Sequence, residues 1–312
     1  MTSLQQVKIL TITARHHDQR LDNFLLSQLK GVPKSRIYKL LRSGQVRVNK
    51  GRKKPNYRVQ LDDQVRIPPI RMEEKNLDEA PPYLLDKLKH CLLFEDEHLL
   101  VLNKPAGLAV HSGSNIAFGV IEILRQLRGN TDLELVHRLD RDTSGCLIIA
   151  KSRLALNALH TLFREDDGLQ KIYRCILAGR WQGGEKMIDA PLLKNTLHGG
   201  ERMVMVDEQG KSAKSLFTPL DYFPNATFAE VKLFTGRTHQ IRVHAAHQQH
   251  PVAGDKKYGD ERFNKQIKKL GFKRMYLHAY RLNFRLNNQD YNITAPLDSD
   301  WQKLQEKLNH EQ

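Results

Sequence analysis

Nine residues, His137-Arg138-Leu139-Asp140-Arg141-Asp142-Thr143-Ser144-Gly145, lie between two apolar runs, Leu133-Glu134-Leu135-Val136 and Cys146-Leu147-Ile148-Ile149-Ala150. Runs of this kind predict buried strands, and the five ionisable side chains between them cannot follow them unpaired into a core. The chain must therefore set a polar loop between two rigid elements, where binding and catalytic groups are commonly presented. Asp140 has one arginine two residues before it and another directly after it, an arrangement suited to a carboxylate acting as nucleophile or base. The segment Asp142-Thr143-Ser144-Gly145 would equally serve an ordinary surface turn.

At 312 residues the chain has room for one large domain or two unequal ones. Its 40% hydrophobic content supports a packed core, and no run approaches the roughly 18 apolar residues of a membrane span. Met1–Leu10 lacks the apolar core of a signal peptide. Cys91, Cys146 and Cys175 are far apart and odd in number, which favours reduced thiols and a cytoplasmic setting over disulfides or a zinc site.

Charge is unevenly distributed. The net charge is +15, and residues 1–71 alone hold sixteen Lys/Arg against four acids. Between Lys30 and Arg58 there are eleven basic residues and no acid. Solubility does not require such segregation of sign, whereas a polyanion does, so nucleic acid is the expected partner and a membrane is not.

Residues 1–71 read as a small αββ-type module. Leu21, Phe24, Leu25 and Leu29 fall at helical spacing, and a second helix should start near Pro33–Ser35, bury Ile37, Leu40 and Leu41, and stop at Gly44. Strands are expected at Gln45–Asn49 and Tyr57–Leu61, with a turn at Asp62-Asp63 before Val65 and Ile67. Lys34, Arg36, Lys39 and Arg42 avoid the apolar stripe of the second helix, and Lys50, Arg52, Lys53 and Lys54 extend the basic patch. Residues 72–90, acidic and carrying Pro81-Pro82, read as a linker, because a proline pair disfavours helix and central strand alike.

Residues 91–312 alternate strand-like runs (99–103, 146–150, 171–178, 227–234, 240–245 and 276–286) with two expected helices, 118–128 and 154–164. Helices clustered early and strands joined by short turns indicate an α+β domain on a largely antiparallel, mixed sheet with flanking helices. Neither a nucleotide-binding glycine motif nor H-E-x-x-H is present.

The nine-residue segment resembles the H-R-L-D-x-x-T-S-G signature of the pseudouridine synthases that modify bacterial large-subunit ribosomal RNA. Gln170-Lys171-Ile172-Tyr173, Gly236-Arg237-Thr238-His239-Gln240-Ile241-Arg242-Val243-His244 and Leu277-His278-Ala279 fit the same family in the same order. Asn103–His111 resembles its N-terminal catalytic-domain motif, and Gly254-Asp255 with Tyr258-Gly259 fits a loop given only a fold-supporting part. The N-terminal module resembles a small RNA-binding domain shared with a ribosomal protein, through Arg20-Leu21-Asp22, Ser35-Arg36, Ile37, Leu40, Gly44, Val46, Val48 and Asn49.

The resemblance implies conversion of uridine to pseudouridine in large-subunit ribosomal RNA or its assembly precursor, by a monomer needing neither cofactor nor metal. It implies Asp140 as the carboxylate acting near the sugar, by attack on C1′, attack on the ring or removal of a C2′ proton. It implies Arg138 as the residue that displaces the target nucleotide from the helix, Tyr173 against the uracil, and Leu277 lining its pocket. Arg242 would pair with Asp140, and if 240–245 is a strand it faces away from Ile241 and Val243; a bidentate pair would fix the Asp140 rotamer. Competing readings are an N-glycosidase using Asp142 as second carboxylate, a transfer RNA synthase, and a non-catalytic assembly factor. A metal held by His239, His244 and His247 is disfavoured by their spacing and by the lack of a completing Cys or carboxylate.

Overall fold

A computed structural model describes residues 3–4, 6–29, 32–71, 79–113, 116–165, 168–196 and 202–310. The chain divides between Glu79 and Ala80 into two units.

In the N-terminal unit, β1 (Ser3–Leu4) pairs with β5 (Ile70–Arg71), and β2 (Lys8–Thr11), β4 (Gln64–Ile67) and β3 (Arg47–Val48) form an antiparallel sheet in the order β2-β4-β3. Helices α1 (Leu21–Gln28) and α2 (Lys34–Arg42) fall where apolar spacing predicts them, with Pro33 at the N-cap of α2 and Gly44, at φ +70°, just past its end. Leu21, Phe24, Leu25, Ile37, Leu40, Val59, Val65 and Ile67 are fully or almost fully buried together.

Tyr57–Leu61 is not the expected strand. Its backbone is spent locally: Tyr57 and Val59 bond to Gln19 and Leu21, while the buried Asp63 carboxylate accepts from Tyr57 Oη, the Gln60 amide and Asn49 Nδ2. The 72–90 linker is also corrected. Residues 72–78 lie outside the described residues, but α3 occupies Pro82–Lys89 and packs Leu88 into the C-terminal core. The proline pair starts this helix instead of excluding it: Pro81 is the N-cap and Pro82 the first helical residue, where no amide hydrogen is needed.

The C-terminal unit continues with β6 (Leu92–Glu95), β7 (Leu99–Lys104), α4 (Val120–Arg128), β8 (Glu134–Leu135), β9 (Ser144–Ala150), α5 (Arg153–Glu165), β10 (Gln170–Ala178) and β11 (Lys186–Asp189). The β12–β13 hairpin (Leu192–Thr196, Arg202–Val206), β14 (Lys214–Phe223), β15 (Ala226–Leu233), α6 (Gln240–His247), α7 (Glu261–Lys269), β16 (Leu277–Leu286), β17 (Gln289–Thr294) and α8 (Ser299–Asn309) complete it. The expectation of two early helices undercounts: α6, α7 and α8 lie late in the chain.

The main sheet has ten strands in the order β11-β14-β15-β10-β16-β9-β7-β6, with β17 on β16 and β8 on β9. Its pairs are antiparallel except β16 with β9. That parallel contact sets His278 and Ala279 beside Ser144 and Gly145, while Tyr173 of β10 lies across from Ala279. One row of the sheet therefore joins the ends of three segments far apart in sequence. Gly145, at φ +108°, is required there: a Cβ on it would sit 2.3 Å from the Ala279 carbonyl oxygen.

Candidate active site

The loop between β8 and β9 holds its polar residues by backbone and buried side-chain contacts. The fully buried Lys104 donates from Nζ to the carbonyls of Pro105, Leu108 and Arg141, tying the Asn103–His111 segment to this loop. Burial lowers its pKa to about 7 against the opposing charges of Asp142 and Asp140. His137 accepts the Ile148 amide at Nε2 and stacks on Phe163, with its ring centroid 4.9 Å away. Ser144 Oγ anchors the other end. It accepts from Arg274 Nη2 at 2.7 Å and meets His278 Nδ1 at 2.8 Å, while His278 Nε2 lies 3.1 Å from the Ala295 carbonyl. A carbonyl only accepts, so the proton of neutral His278 is on Nε2 and Ser144 donates to Nδ1.

Residues 240–245 form a helix, not a strand. Gln240 to Ala245 are all buried, so the alternation of apolar and polar types carries no facing information. Gln240 fixes the turn before the helix: its Oε1 accepts from Thr235 Oγ1 and the Arg237 amide, and its Nε2 donates to Lys214 O and Ser215 Oγ. His239 at the N-cap takes a left-handed conformation, φ +56°, which costs a non-glycine residue about 1–3 kcal/mol and is found mostly where surrounding structure enforces it.

Helix α6 brings Arg242 to Asp140, as the resemblance implies, but with a different geometry. Arg242 Nη1 donates to Asp140 Oδ2 at 3.0 Å, a single hydrogen bond. The bidentate partner is Asp255, reached by Nε at 2.6 Å and Nη2 at 2.8 Å. The Asp255 side chain is wholly buried, and its Oδ1 also accepts the Lys257 and Tyr258 amides. Asp255 thus belongs to the site and not merely to a supporting loop. Burial lowers the pKa of Arg242, but the hydrogen bonds and charge of Asp255, with Asp140, outweigh it and raise the pKa overall. For Asp255 burial acts upward and the guanidinium prevails, lowering its pKa. Only the long reach from Asp140 to 242 and 255 separated these groups in sequence; an acid in a glycine-flanked loop gave no distinguishing signal.

Asp140 faces an open pocket of about 110 Å³ walled by Arg138, Tyr173, Leu277 and His239. Leu277 is buried, Tyr173 half-buried and Arg138 exposed. Burial pushes the Tyr173 phenol up, with the Asp140 charge acting the same way, so it is a neutral ring at physiological pH. His239 Nε2 is 3.7 Å from Asp140 Oδ2, and its Nδ1 is 2.8 Å from Tyr258 Oη. The other two histidines of the metal reading are engaged differently: His244 bonds Ser215 Oγ and Ala190 O, and His247 is exposed. Asp142, the other carboxylate weighed for glycoside hydrolysis, is 3.4 Å from Arg141 Nε.

In the N-terminal unit, Lys34, Arg36, Lys39, Arg42, Lys50, Arg52, Lys53 and Lys54 are all exposed. Asp22, beneath α2, is buried and held by Arg20 and by Tyr38 Oη at 2.7 Å, so its charge is matched within the unit.

Comparison with known proteins adds three kinds of match. The RNA pseudouridylate synthase family profile matches residues 98–247 and the S4 domain profile residues 19–65. The ribosomal large subunit pseudouridine synthase C of Pasteurella multocida is 50% identical over 305 residues, covering 96% of this chain and 93% of that protein. Its Escherichia coli counterpart is 48% identical, covering 99% of both chains. Among solved structures, human RNA pseudouridylate synthase domain containing 1 aligns with a TM-score of 0.59 at 25% identity, over 70% of this chain and 86% of that one.

Proposed function

Because the chain belongs to the RNA pseudouridylate synthase family and carries an S4 domain, we propose that it isomerises uridines to pseudouridine in large-subunit ribosomal RNA. The observation that carries this reading is the Asp140 carboxylate, hydrogen-bonded once by Arg242 and facing a pocket walled by Tyr173 and Leu277. The reaction breaks the N1–C1′ bond and joins C5 to C1′, with no net gain or loss of atoms. The protein's tasks are therefore to extrude the nucleotide, hold the detached base and place one carboxylate at the sugar.

Each task has a candidate. Arg138, exposed at the pocket rim, replaces the extruded nucleotide; unstacking costs a few kcal/mol, and a planar cation can stack and pair in the vacated place. Tyr173 and Leu277 hold the uracil between an aromatic ring and an apolar wall. Asp140 supplies the carboxylate, and attack on C1′, attack on the ring and removal of a C2′ proton all begin from this placement. Arg242, locked on Asp255, uses its remaining nitrogen to fix the Asp140 rotamer, so the reactive group needs little reorganisation. Lys34, Arg36, Lys39, Arg42, Lys50, Arg52, Lys53 and Lys54 add phosphate contacts, which raise affinity without specifying sequence. No helix among the described residues is long and apolar enough to cross a membrane. A ribosomal RNA substrate supports a cytoplasmic location.

Pseudouridine mapping tests the proposal. Wild-type protein and Asp140→Asn are incubated with unmodified large-subunit ribosomal RNA and with bulk transfer RNA, followed by carbodiimide labelling and primer extension. Stops in ribosomal RNA that require Asp140 are expected. Stops confined to transfer RNA would overturn the substrate, and their absence from both RNAs would overturn the reaction.

A further inference from the structure

Side chains alternate along β10, so Lys171, Tyr173 and Cys175 share the pocket face with Leu233 and Leu277, while Gln170, Ile172, Arg174 and Ile176 point the other way. At the Ile176 end that opposite face is covered by α8, through Trp301 packed with Phe228 and Tyr276. Further along, it is open: Ile172, Arg174, Lys232, Phe234, Arg281 and Asn283 are only half-buried.

A bulge organises this open face. Ile172 pairs with Arg281 and Tyr173 with Ala279, so Tyr280 is the extra residue between them. Its ring lies 3.6 Å from the Arg174 guanidinium and 5.3 Å from that of Arg281. On the neighbouring strand Lys232 lies 5.3 Å from the Phe234 ring. Bulges recur beside active sites because they re-aim a side chain; this one keeps Tyr173 and Leu277 on the pocket face while turning a second tyrosine outward. A cleft of about 660 Å³ runs past Gln170, Lys232, Phe234, Asn283 and Arg285, and Leu233 lines both this cleft and the Asp140 pocket.

The charges on this face are Arg174, Lys232, Arg281 and Arg285 against Glu230, 3.7 Å from Arg174, and Asp290, 3.7 Å from Arg285. Lys232 and Arg281 remain as excess cations. Amide heads accompany them: Asn283 Nδ2 donates to Gln170 Oε1 at 3.3 Å, and Asn283 Oδ1 is buried with no hydrogen-bond partner. A protein partner of ordinary kind prefers a face whose centre is apolar. Cations interleaved with aromatic rings and amides instead form a platform on which unpaired bases stack while phosphates are neutralised.

We propose that this open face of β10, β15, β16 and β17 is a second RNA-docking surface. It takes an unpaired stretch of the same RNA whose uridine enters the Asp140 pocket, and so it rests on the function proposed above. Recognition of the substrate then extends over both faces of the sheet.

The test uses full-length protein carrying Lys232→Gln with Arg281→Gln, and separately Phe234→Leu. Binding and turnover are measured on a large-subunit ribosomal RNA transcript and on a short hairpin containing one mapped target uridine. On the transcript, Kd should rise about tenfold in each variant. The salt slope should fall by about 1.4 in the double variant, the loss of two single-strand phosphate contacts. Turnover of the bound transcript and of the hairpin should be unchanged. Unaltered transcript affinity and slope would overturn the proposal. So would an equal loss on the hairpin, which would assign these residues to sheet integrity, or a loss seen only with protein-containing precursor particles, which would assign the face to a protein. Direct binding is readable even if wild-type protein forms no pseudouridine, an outcome that would instead sink the proposed function.

Discussion

The N-terminal unit and the Asp140 pocket use the same residue types in opposite ways. In the former, eight exposed lysines and arginines stand on one short stretch, each open to solvent and screened by salt. In the latter, one arginine with a side chain only 10% exposed is fixed by three hydrogen bonds to two carboxylates. Exposed cations act additively and at a distance, so losing one matters little. A buried cation acts by geometry, and its loss leaves a carboxylate stranded. Under the proposed function, attraction and positioning are assigned to separate units.

The contrast can be broken most decisively at Asp140. Asp140→Asn should reduce pseudouridine formation to background while leaving RNA affinity within about twofold; gel-shift and mapping on the same preparation read both, and retained turnover would refute the assignment. Arg242→Met should cost about 3–5 kcal/mol by leaving Asp255 buried without its cation, against about 1 kcal/mol for Asp140→Asn, which loses one hydrogen bond. Equal denaturation midpoints for the two variants would show that Asp255 is not what locks Arg242.

Acid should weaken the C-terminal unit through His278. Burial holds its pKa at about 4, below the ordinary 6.5, so the unfolded chain binds the proton first. The stabilisation is complete above about pH 6.5 and is lost as pH falls toward 4, about 2 kcal/mol of it between pH 7 and pH 5. Urea unfolding at those two pH values should show this loss in wild type and a smaller one in His278→Gln. The smallest effect is expected in the basic patch, where Lys39→Gln should lower the salt slope of RNA binding by about 0.7–0.9 and leave the bound-state turnover alone. A large drop from this single change would mean that Lys39 reads a specific contact.

Several elements were legible because local pattern and burial agree. The periodic apolar residues of α1, α2, α4 and α5 and the continuous apolar runs of β7 and β9 lie where spacing alone puts them. Helix α6 is not legible, because a segment buried on every side need not display a period and Ile241-Arg242-Val243-His244 alternates as a strand would. Pro81-Pro82 is ambiguous in sequence, because a proline that breaks a helix interior is at home in its first turn.

By itself the sequence determined the chemical types at the site: a carboxylate between arginines, a strand tyrosine, a second arginine, and a basic module set apart by charge. Only the tertiary structure decided their geometry. Asp140 lies 102 residues from Arg242 and Arg242 lies 13 from Asp255, and no local rule states which of the two carboxylates takes the fork of the guanidinium. That choice follows from burial, since a fully enclosed Asp255 must have its charge matched on both oxygens, whereas Asp140, open to the pocket, can leave lone pairs for a substrate.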